Sequence, residues 1–430
     1  MFWDQASETL ERPTLAQLQL KLLQETVQRL AQRVPLYQSK FAEAGVRPEQ
    51  IKSLGDVRRL PFTTGADLRD AYPDGLLAVG REEVVRLHTS SGTTGKPKAL
   101  FFSRNDVNNA AELMARSLVM TGVTRQDVFQ NLMSYGLFTG GLVMHYGAEK
   151  VGCLVIPAGP GTSERRLMLM QDFGTTAIHI LPSYALYFAG FLERKGIDPR
   201  RDLKLRRAFV GAEPHTEGTR HRIEGVFGVD VYNSYGLTEM NGPGVAFECE
   251  HKSGLHLWED NFLLEIVDPV TGEPLPEGER GELVLTTLRR EAMPILRYRT
   301  RDITSIIAEP CACGRTHRRL HRITGRTDDM LIVRGVNIFP QQIERVLMAV
   351  PQVGRNYVIV LEGLDDLTVQ VELAASGFDG QVEHLNKLRD HLVEKLRAEL
   401  WVRPKVDLLP AGTLPVTEGK ARRVIDKRSL

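Results

Sequence analysis

The sequence predicts an α/β protein: a large N-terminal domain of several layered parts, and a small α+β domain at the C-terminus. Three observations carry this. The chain has 430 residues, too many for one compact core and enough for two or three domains. Short β-branched or apolar runs alternate with helix-period stretches along most of it, the pattern of α/β layers with a mostly parallel sheet. Beyond Gly325, about a hundred residues read strand, helix, strand, strand, helix, strand, enough for a domain of their own. The expected domains are therefore 1–325 and 326–430.

The elements follow in order. Leu15 to Gly45 reads as helix, with apolar residues at Leu18, Leu22, Val27, Leu30 and Ala31 and a break at Pro35. Val84 to His88 is short and β-branched and reads as a strand. A Gly-, Ser- and Thr-rich loop follows, then a helix from Asn105 to Met120 with Asp106 near its start. Further strands are expected at Cys153–Ile156, Ala177–Leu181, Ala208–Val210, Val229–Asn233, Phe262–Val267 and Glu282–Thr286. The turn-rich link DPVTGEPLPEGERGEL between the last two suggests a β-rich subdomain. In the C-terminal part, helices are expected at Pro340–Val350 and Gln381–Leu400, and strands at Asn356–Leu361 and Leu367–Leu373.

Composition excludes several classes. Apolar residues are 42% and charged residues 25%, ordinary for a globular protein. Lys plus Arg number 55 against 54 acidic residues, a net charge of +1, which lacks the basic excess of a nucleic-acid binder. The basic tail from Lys420 to Arg428 reads as a solvated face. No run of about eighteen apolar residues suggests a membrane span. The opening MFWDQASETLE is acidic and unlike a secretory signal. Four cysteines rule out a disulfide scaffold and point to a reducing cytoplasm.

Five motifs carry chemistry. SSGTTGKPK, Ser90 to Lys98, sets hydroxyls and two lysines on a glycine-rich loop. Donors and cations on bare backbone suit a polyphosphate. It does not fit the Walker spacing, and alone it is also a surface turn. NSYGLTE, Asn233 to Glu239, offers an aromatic face at Tyr235 and a carboxylate beside a hydroxyl at Thr238–Glu239, a set that holds Mg²⁺ near phosphates. Alone it is equally a capped helix start. YRTRD, Tyr298 to Asp302, places an acid that accepts both hydroxyls of a ribose, or a plain Arg–Asp pair. GRTDDMLIVRGVNIFP, Gly325 to Pro340, has the make-up of a hinge. LPVTEGKARR, Leu414 to Arg423, holds Lys420 on a polar segment, where a lone lysine is ordinarily solvated.

In this order the five motifs resemble the adenylate-forming superfamily of acyl-CoA synthetases, luciferases and peptide-synthetase adenylation domains, over nearly the whole chain. The opening segment, YGLFTGG from Tyr135 to Gly141, and LPVTEGKARRVIDKR near the end look like its phenylacetate–CoA ligase branch. The resemblance implies ATP (leaving as AMP), Mg²⁺ and CoA as cofactors. Ser90, Ser91, Gly92, Thr93, Thr94, Gly95 and Lys96 would orient the β- and γ-phosphates. Gly211, Ala212, Glu213 and Pro214 would line the adenine, with Tyr235 and Gly236 against the base. Thr238 would touch the α-phosphate, Glu239 would ligate Mg²⁺, and Asp302 with Arg326 would hold the ribose. Asp328 is similar to the hinge residue, and Lys420 to the lysine bridging carboxylate and α-phosphate during adenylation.

For the acid, Tyr135, Gly136, Phe138, Gly140 and Gly141 are the pocket candidates, because glycines beside aromatics leave a flat slot for an aryl ring. Tyr184 is a pocket residue or plain core. The segment after the phosphate loop has Phe102 and Ser103 where the branch often has a Tyr-Thr pair, so an aryl acid is implied without fixing phenylacetate. The expected partners are thus an aryl carboxylic acid, ATP and CoA, with a homodimer plausible for this branch. Another acyl acceptor, or a non-catalytic nucleotide sensor, is the alternative. Separately, Cys249, Cys311 and Cys313 with one histidine form a structural Zn²⁺ set. His256, on the strand-like LHLW, is the preferred fourth ligand, with His251 and His317 as alternatives; free thiols on a loop pair are the plain reading. Cys153 reads as buried core.

Overall fold

The computed structural model describes residues 1–90, 97–334, 336–362, 366–374, 381–415, 421 and 423–428. The chain forms two compact units. The first comprises Met1–His179, Arg207–Ala212 and Tyr232–Arg322; the second comprises Ile180–Arg206, Glu213–Val231 and Ile323–Leu430.

After a single helical turn at Gln5–Glu8, the first unit continues with helices Arg12–Arg33 and Pro35–Glu43. Pro35 does not merely break a helix: it starts the next one, at the position where its missing N–H and fixed φ do no harm. The buried stripe of the first helix is Leu15, Gln19, Leu23, Thr26, Val27 and Leu30. This differs in phase from the apolar stripe expected at Leu18 and Leu22. Gln19 donates to the Glu259 carbonyl at 2.9 Å and Thr26 to that of Leu288 at 3.4 Å, so two polar residues face inward because each has a partner there.

A nine-stranded sheet is the centre of this unit. Its spatial order is Ile306–Ile307, Arg319–Leu320, Leu255–Leu257, Gly242–Glu248, Asp230–Leu237, Arg207–Gly211, Ala177–Ile180, Val128–Asn131 and Leu154–Ile156. The sheet is mixed rather than mostly parallel. Val128–Asn131 runs parallel to both its neighbours, while pairing is antiparallel from Asp230–Leu237 through the Ile306 edge. Phe209 stacks on Phe129 at 5.8 Å and packs against Phe247 at 5.8 Å. The link after Ile266 joins two antiparallel strands of a separate three-stranded sheet, Phe262–Val267, Gly281–Thr287 and Tyr298–Thr304. Helix Arg104–Val119 begins with a reciprocal cap: Ser103 Oγ accepts from Asp106 N at 3.1 Å, and the Asp106 carboxylate accepts from Ser103 N at 2.9 Å.

The N-terminus is strapped down. Glu8, fully buried, accepts from Trp3 N at 2.9 Å, Asp4 N at 2.8 Å and Arg315 Nε at 2.7 Å. Arg315 Nη2 also donates to the Met1 carbonyl at 2.6 Å, and its guanidinium lies 4.6 Å over Phe2.

In the second unit a four-stranded sheet runs Lys405–Leu409, Asp366–Leu373, Val353–Glu362, Val424–Asp426. Helices Pro340–Met348 and Val382–Leu400 pack over it through Ile343, Leu347, Leu392, Leu396 and Leu400. The earlier segments join through polar anchors. The Glu344 carboxylate accepts from Thr219 Oγ1 at 2.5 Å and Tyr357 OH at 2.8 Å, and Arg222 donates to the carbonyls of Val350 and Val353 at 2.9 and 3.2 Å.

Candidate active site and cysteine knuckle

The phosphate-loop motif lies between strands Val84–Thr89 and Ala99–Ser103, which pair antiparallel. Its two ends are tied: Ser90 N donates to the Lys98 carbonyl at 3.1 Å, and Lys98 N to Ser90 Oγ at 3.3 Å. Ser91, Gly92, Thr93, Thr94, Gly95 and Lys96 lie outside the described residues.

Lys98 makes the first functional contact. Its ammonium forms an ion pair with Glu239 and lies 3.3 Å from Tyr298 OH, which donates to Glu239 Oε1 at 3.0 Å. Burial alone would push the Glu239 carboxyl up, but the Lys98 charge and the hydrogen bonds hold it below the ordinary glutamate value. Its strand, Asp230–Leu237, contains Tyr235 and Gly236, and Thr238–Glu239 forms the turn into Gly242–Glu248. The motif is therefore a strand and hairpin turn, not a capped helix start. The hydroxyls of Thr238 and Thr139 lie 3.5 Å apart.

Beside them, Tyr235 OH donates to Asp302 Oδ2 at 2.6 Å, both residues buried. The aromatic face and the acid expected to serve base and ribose are thus neighbours. Along Tyr298–Thr304, burial alternates, so Tyr298, Thr300 and Asp302 share one face. At Gly211 a Cβ would meet the Ser234 carbonyl at 2.4 Å, so packing between the strands alone requires glycine there. Ala212, exposed at φ 63°, holds a left-handed conformation rare for a residue with a side chain. Pro214 is also exposed.

The acid-pocket candidates separate by role. Tyr135 OH lies 3.2 Å from His145 Nδ1, whose Nε2 pairs with Glu149 at 3.0 Å. Burial pushes the Tyr135 phenol up to about 12, so it stays protonated. Gly140 faces open space, whereas a Cβ at Gly141 would meet the Ser134 carbonyl at 2.3 Å. Gly136 and Phe138 are exposed.

In the second unit, the Glu213 carboxylate accepts from Ser183 N and Oγ at 3.1 and 2.9 Å and from Ala421 N at 2.7 Å. Lys420 lies outside the described residues. Arg326 forks onto Asp328 at 2.9 Å through both Nε and Nη2. Tyr184 stacks on Phe188 at 6.0 Å.

The cysteine knuckle lies in the first unit. The ligand atoms of Cys249, His256, Cys311 and Cys313 all lie within 4.8 Å of one another. Cys249 and Cys311 sulfurs are 3.7 Å apart, and Cys313 Sγ is 3.4 Å from His256 Nε2. A tetrahedral ion with Zn–S of about 2.3 Å and Zn–N of about 2.0 Å would separate two sulfurs by about 3.8 Å and sulfur from nitrogen by about 3.5 Å. The donor set fits such an ion. His317 is not part of it: Nδ1 accepts from Glu259 N at 3.0 Å and Nε2 donates to the Ser7 carbonyl at 2.9 Å. His251 is exposed and outside the set. Cys153 is buried, as expected.

Sequence reasoning missed Lys98 as the partner of Glu239, and missed Tyr298 beside that carboxylate and Thr139 beside Thr238. Tyr298 was open to inference: it opens YRTRD at the spacing that shares a strand face with Asp302.

Comparison with known proteins agrees in scale. Residues 17–288 match the family described as AMP-binding enzyme, and residues 335–428 its C-terminal domain. The chain is 47% identical over 445 residues to the phenylacetate-coenzyme A ligase of Thermus thermophilus, covering 100% of each. It is 46% identical to that of Pseudomonas putida, over 98% of this chain and 96% of that one. For the Escherichia coli enzyme of the same name the identity is 42%, over 98% and 97%. Among solved structures, a 2-hydroxyisobutyryl-CoA ligase bound to 2-HIB-AMP superposes with a TM-score of 0.94 at 30% identity, covering 99% of this chain and 92% of that one.

Proposed function

The chain belongs to the phenylacetate–coenzyme A ligase family of AMP-binding enzymes and is an AMP-forming acid–thiol ligase, and we propose that its acid is phenylacetate or a related aryl acid. The observation that carries the site assignment is the cluster of Lys98, Glu239 and Tyr298 at the foot of the phosphate loop, with Tyr235 and Asp302 alongside.

In the first half-reaction a carboxylate oxygen of the acid bonds to the α-phosphorus of ATP and the α–β bridging bond breaks, releasing pyrophosphate. Two anions meet, so neutralising charge is the main demand. Lys98 keeps Glu239 ionised, and the phosphate-loop residues Ser90 to Lys96 with Lys420 supply donors and positive charge. Glu239 is the residue to hold Mg²⁺: its carboxylate is an anionic oxygen donor, the type this ion takes, and the ion would screen the phosphates. Asp302, with Arg326, holds the ribose and Tyr235 faces the base. In the second half-reaction the CoA sulfur, losing its proton, bonds to the acyl carbon and AMP leaves. No protein nucleophile is required, which leaves the cysteines to other work.

The knuckle of Cys249, His256, Cys311 and Cys313 would hold Zn²⁺ in a closed structural site. None of the four cysteines is in a disulfide, and a reducing cytoplasm is the compartment we propose. Among the described residues, no helix is long and apolar enough to cross a membrane. We keep 1–325 and 326–430 as the working domains, with Asp328 as their hinge.

ATP–pyrophosphate exchange with phenylacetate, 4-hydroxyphenylacetate, indoleacetate, benzoate and a medium-chain fatty acid, without CoA, tests the reading. Exchange confined to one or two aryl acids supports it. Exchange with the fatty acid alone overturns the aryl assignment, and none with any acid despite tight ATP binding favours a sensor.

A further inference from the structure

Arg290 is a buried cation whose contacts converge on the site. Its side chain is 5% exposed. Nη1 donates to the carbonyls of Glu239 at 2.7 Å and Met240 at 3.1 Å, and Nη2 donates to that of Phe101 at 3.2 Å. The guanidinium lies 4.1 Å over the Phe102 ring. Burial lowers its pKa to about 10, while the charges of Asp106 and Glu239 pull the other way, so it stays charged at neutral pH.

These contacts bridge two segments with no reason to be in register. Phe101 and Phe102 belong to Ala99–Ser103, the strand that leaves the phosphate loop through Lys98. Glu239 and Met240 form the turn that presents the carboxylate. The arginine's own segment is fixed in turn: Asp106 accepts from Glu291 N at 2.7 Å and Ala292 N at 3.0 Å, and Ser103 Oγ donates to Glu291 Oε2 at 2.9 Å. A planar fork satisfies carbonyls from two directions at fixed spacing, which a lysine ammonium does not.

We propose that Arg290 is a positioning residue for nucleotide–metal binding, fixing the Glu239 turn against the strand of the phosphate loop so that the carboxylate meets Mg²⁺·ATP at one set distance. This rests on the ligase reading above. Arg290 touches no substrate and acts through the backbone of Glu239.

The test is the Mg²⁺ dependence of ATP binding, read by isothermal titration calorimetry, and of ATP–pyrophosphate exchange in the full chain, for wild type, Arg290→Lys, Glu239→Gln and the double variant. Arg116→Lys, at a buried arginine held by Asp260 at 2.9 Å, controls for general loss of stability. Arg290→Lys should raise the half-saturating Mg²⁺ concentration about 10- to 100-fold, with a melting temperature no lower than that of Arg116→Lys. In the Glu239→Gln background the same change should have almost no further effect, because a residue acting through Glu239 has nothing left to position. An unchanged Mg²⁺ requirement in Arg290→Lys, or an equal loss in both backgrounds, overturns the proposal. Should Arg290→Lys fail to fold, Phe102→Leu, which removes the ring beneath the guanidinium, takes its place with the same reading of both outcomes. Wild-type chain without exchange on any acid defeats the ligase reading itself, and the inference with it, a result distinct from a variant that matches an active wild type.

Discussion

Lys98 and Glu239, 141 residues apart in sequence, form one partly buried ion pair, and Tyr298 donates to the same carboxylate oxygen. The pair fixes the charge state of the site before any nucleotide arrives.

Removing the cation should therefore do more than weaken ATP binding. Lys98→Met leaves Glu239 buried without a counter-ion, which costs about 3–5 kcal/mol. In the wild type, the lowered Glu239 pKa gives stability that is present above the unfolded carboxyl value and lost as pH falls through the folded one. In the variant, only the Tyr298 and backbone hydrogen bonds oppose burial, and the carboxyl pKa rises. The gap in melting temperature between the two should be wide at pH 7 and narrow toward pH 4. A gap independent of pH would rule out the pair as its source.

Lys420→Ala should abolish acid-dependent ATP–pyrophosphate exchange yet spare thioester formation from a supplied acyl-adenylate. That split follows if the lysine serves only the first half-reaction and the small domain turns about Asp328 for the second. Equal loss in both half-reactions would contradict it.

Asp302→Asn should raise KM for ATP about 10- to 100-fold, the worth of a hydrogen bond to a charged group, with the KM for the acid little changed. Tyr235→Phe keeps the aromatic face and removes only the hydroxyl that donates to Asp302 at 2.6 Å, so it should be milder. Steady-state kinetics decides, and Tyr235→Phe worse than Asp302→Asn would reverse the roles assigned to ring and hydroxyl.

The chain as purified should carry one zinc per molecule by elemental analysis. Cys311→Ser and His256→Ala should lose it and melt at a lower temperature, while His317→Gln should keep it, since both His317 nitrogens are already engaged. A full zinc complement in Cys311→Ser would refute this ligand set.

Acid should weaken the fold well before the carboxylates titrate. Burial holds His88 down to about 4 and His179 to about 3. Both are neutral when folded and bind a proton on unfolding, so stability is complete above the unfolded value near 6.5 and falls as pH drops toward the folded values. For His88 the loss is of order 3 kcal/mol. Urea midpoints measured from pH 7 to pH 4.5 should decline, and His88→Gln should flatten the slope; an unaltered slope would discount His88.

The sequence was informative where chemistry needs particular residue types in a short span. The knuckle residues and the Tyr235–Glu239 motif were visible as spacings, whereas the reciprocal cap of Ser103 and Asp106 emerged only in the structure. Hydrophobic pattern misled at Gln19 and Thr26, since a polar side chain with a carbonyl to bond is as much at home inside as a leucine. The strand through Leu237 was cut short because Ser234 and Gly236, which carry weak β signals, interrupt its last residues. Pairings such as Lys98–Glu239 and Arg290–Phe101 were beyond reach, because the partners are far apart in sequence and meet only through tertiary packing. At the knuckle the strand-like LHLW already favoured His256, and the structure places that histidine with the three cysteines.

The strap that binds Glu8 to Arg315 also sets an order in time. The two residues are 307 positions apart, so on a ribosome adding roughly 5–20 residues per second the opening segment waits some tens of seconds for its anchor. Through that interval Phe2, Trp3 and Leu10 are unsheltered, and Glu8 has no arginine to meet. Residues made early are thus among the last to settle, and whatever attends the nascent chain meets them before the fold does.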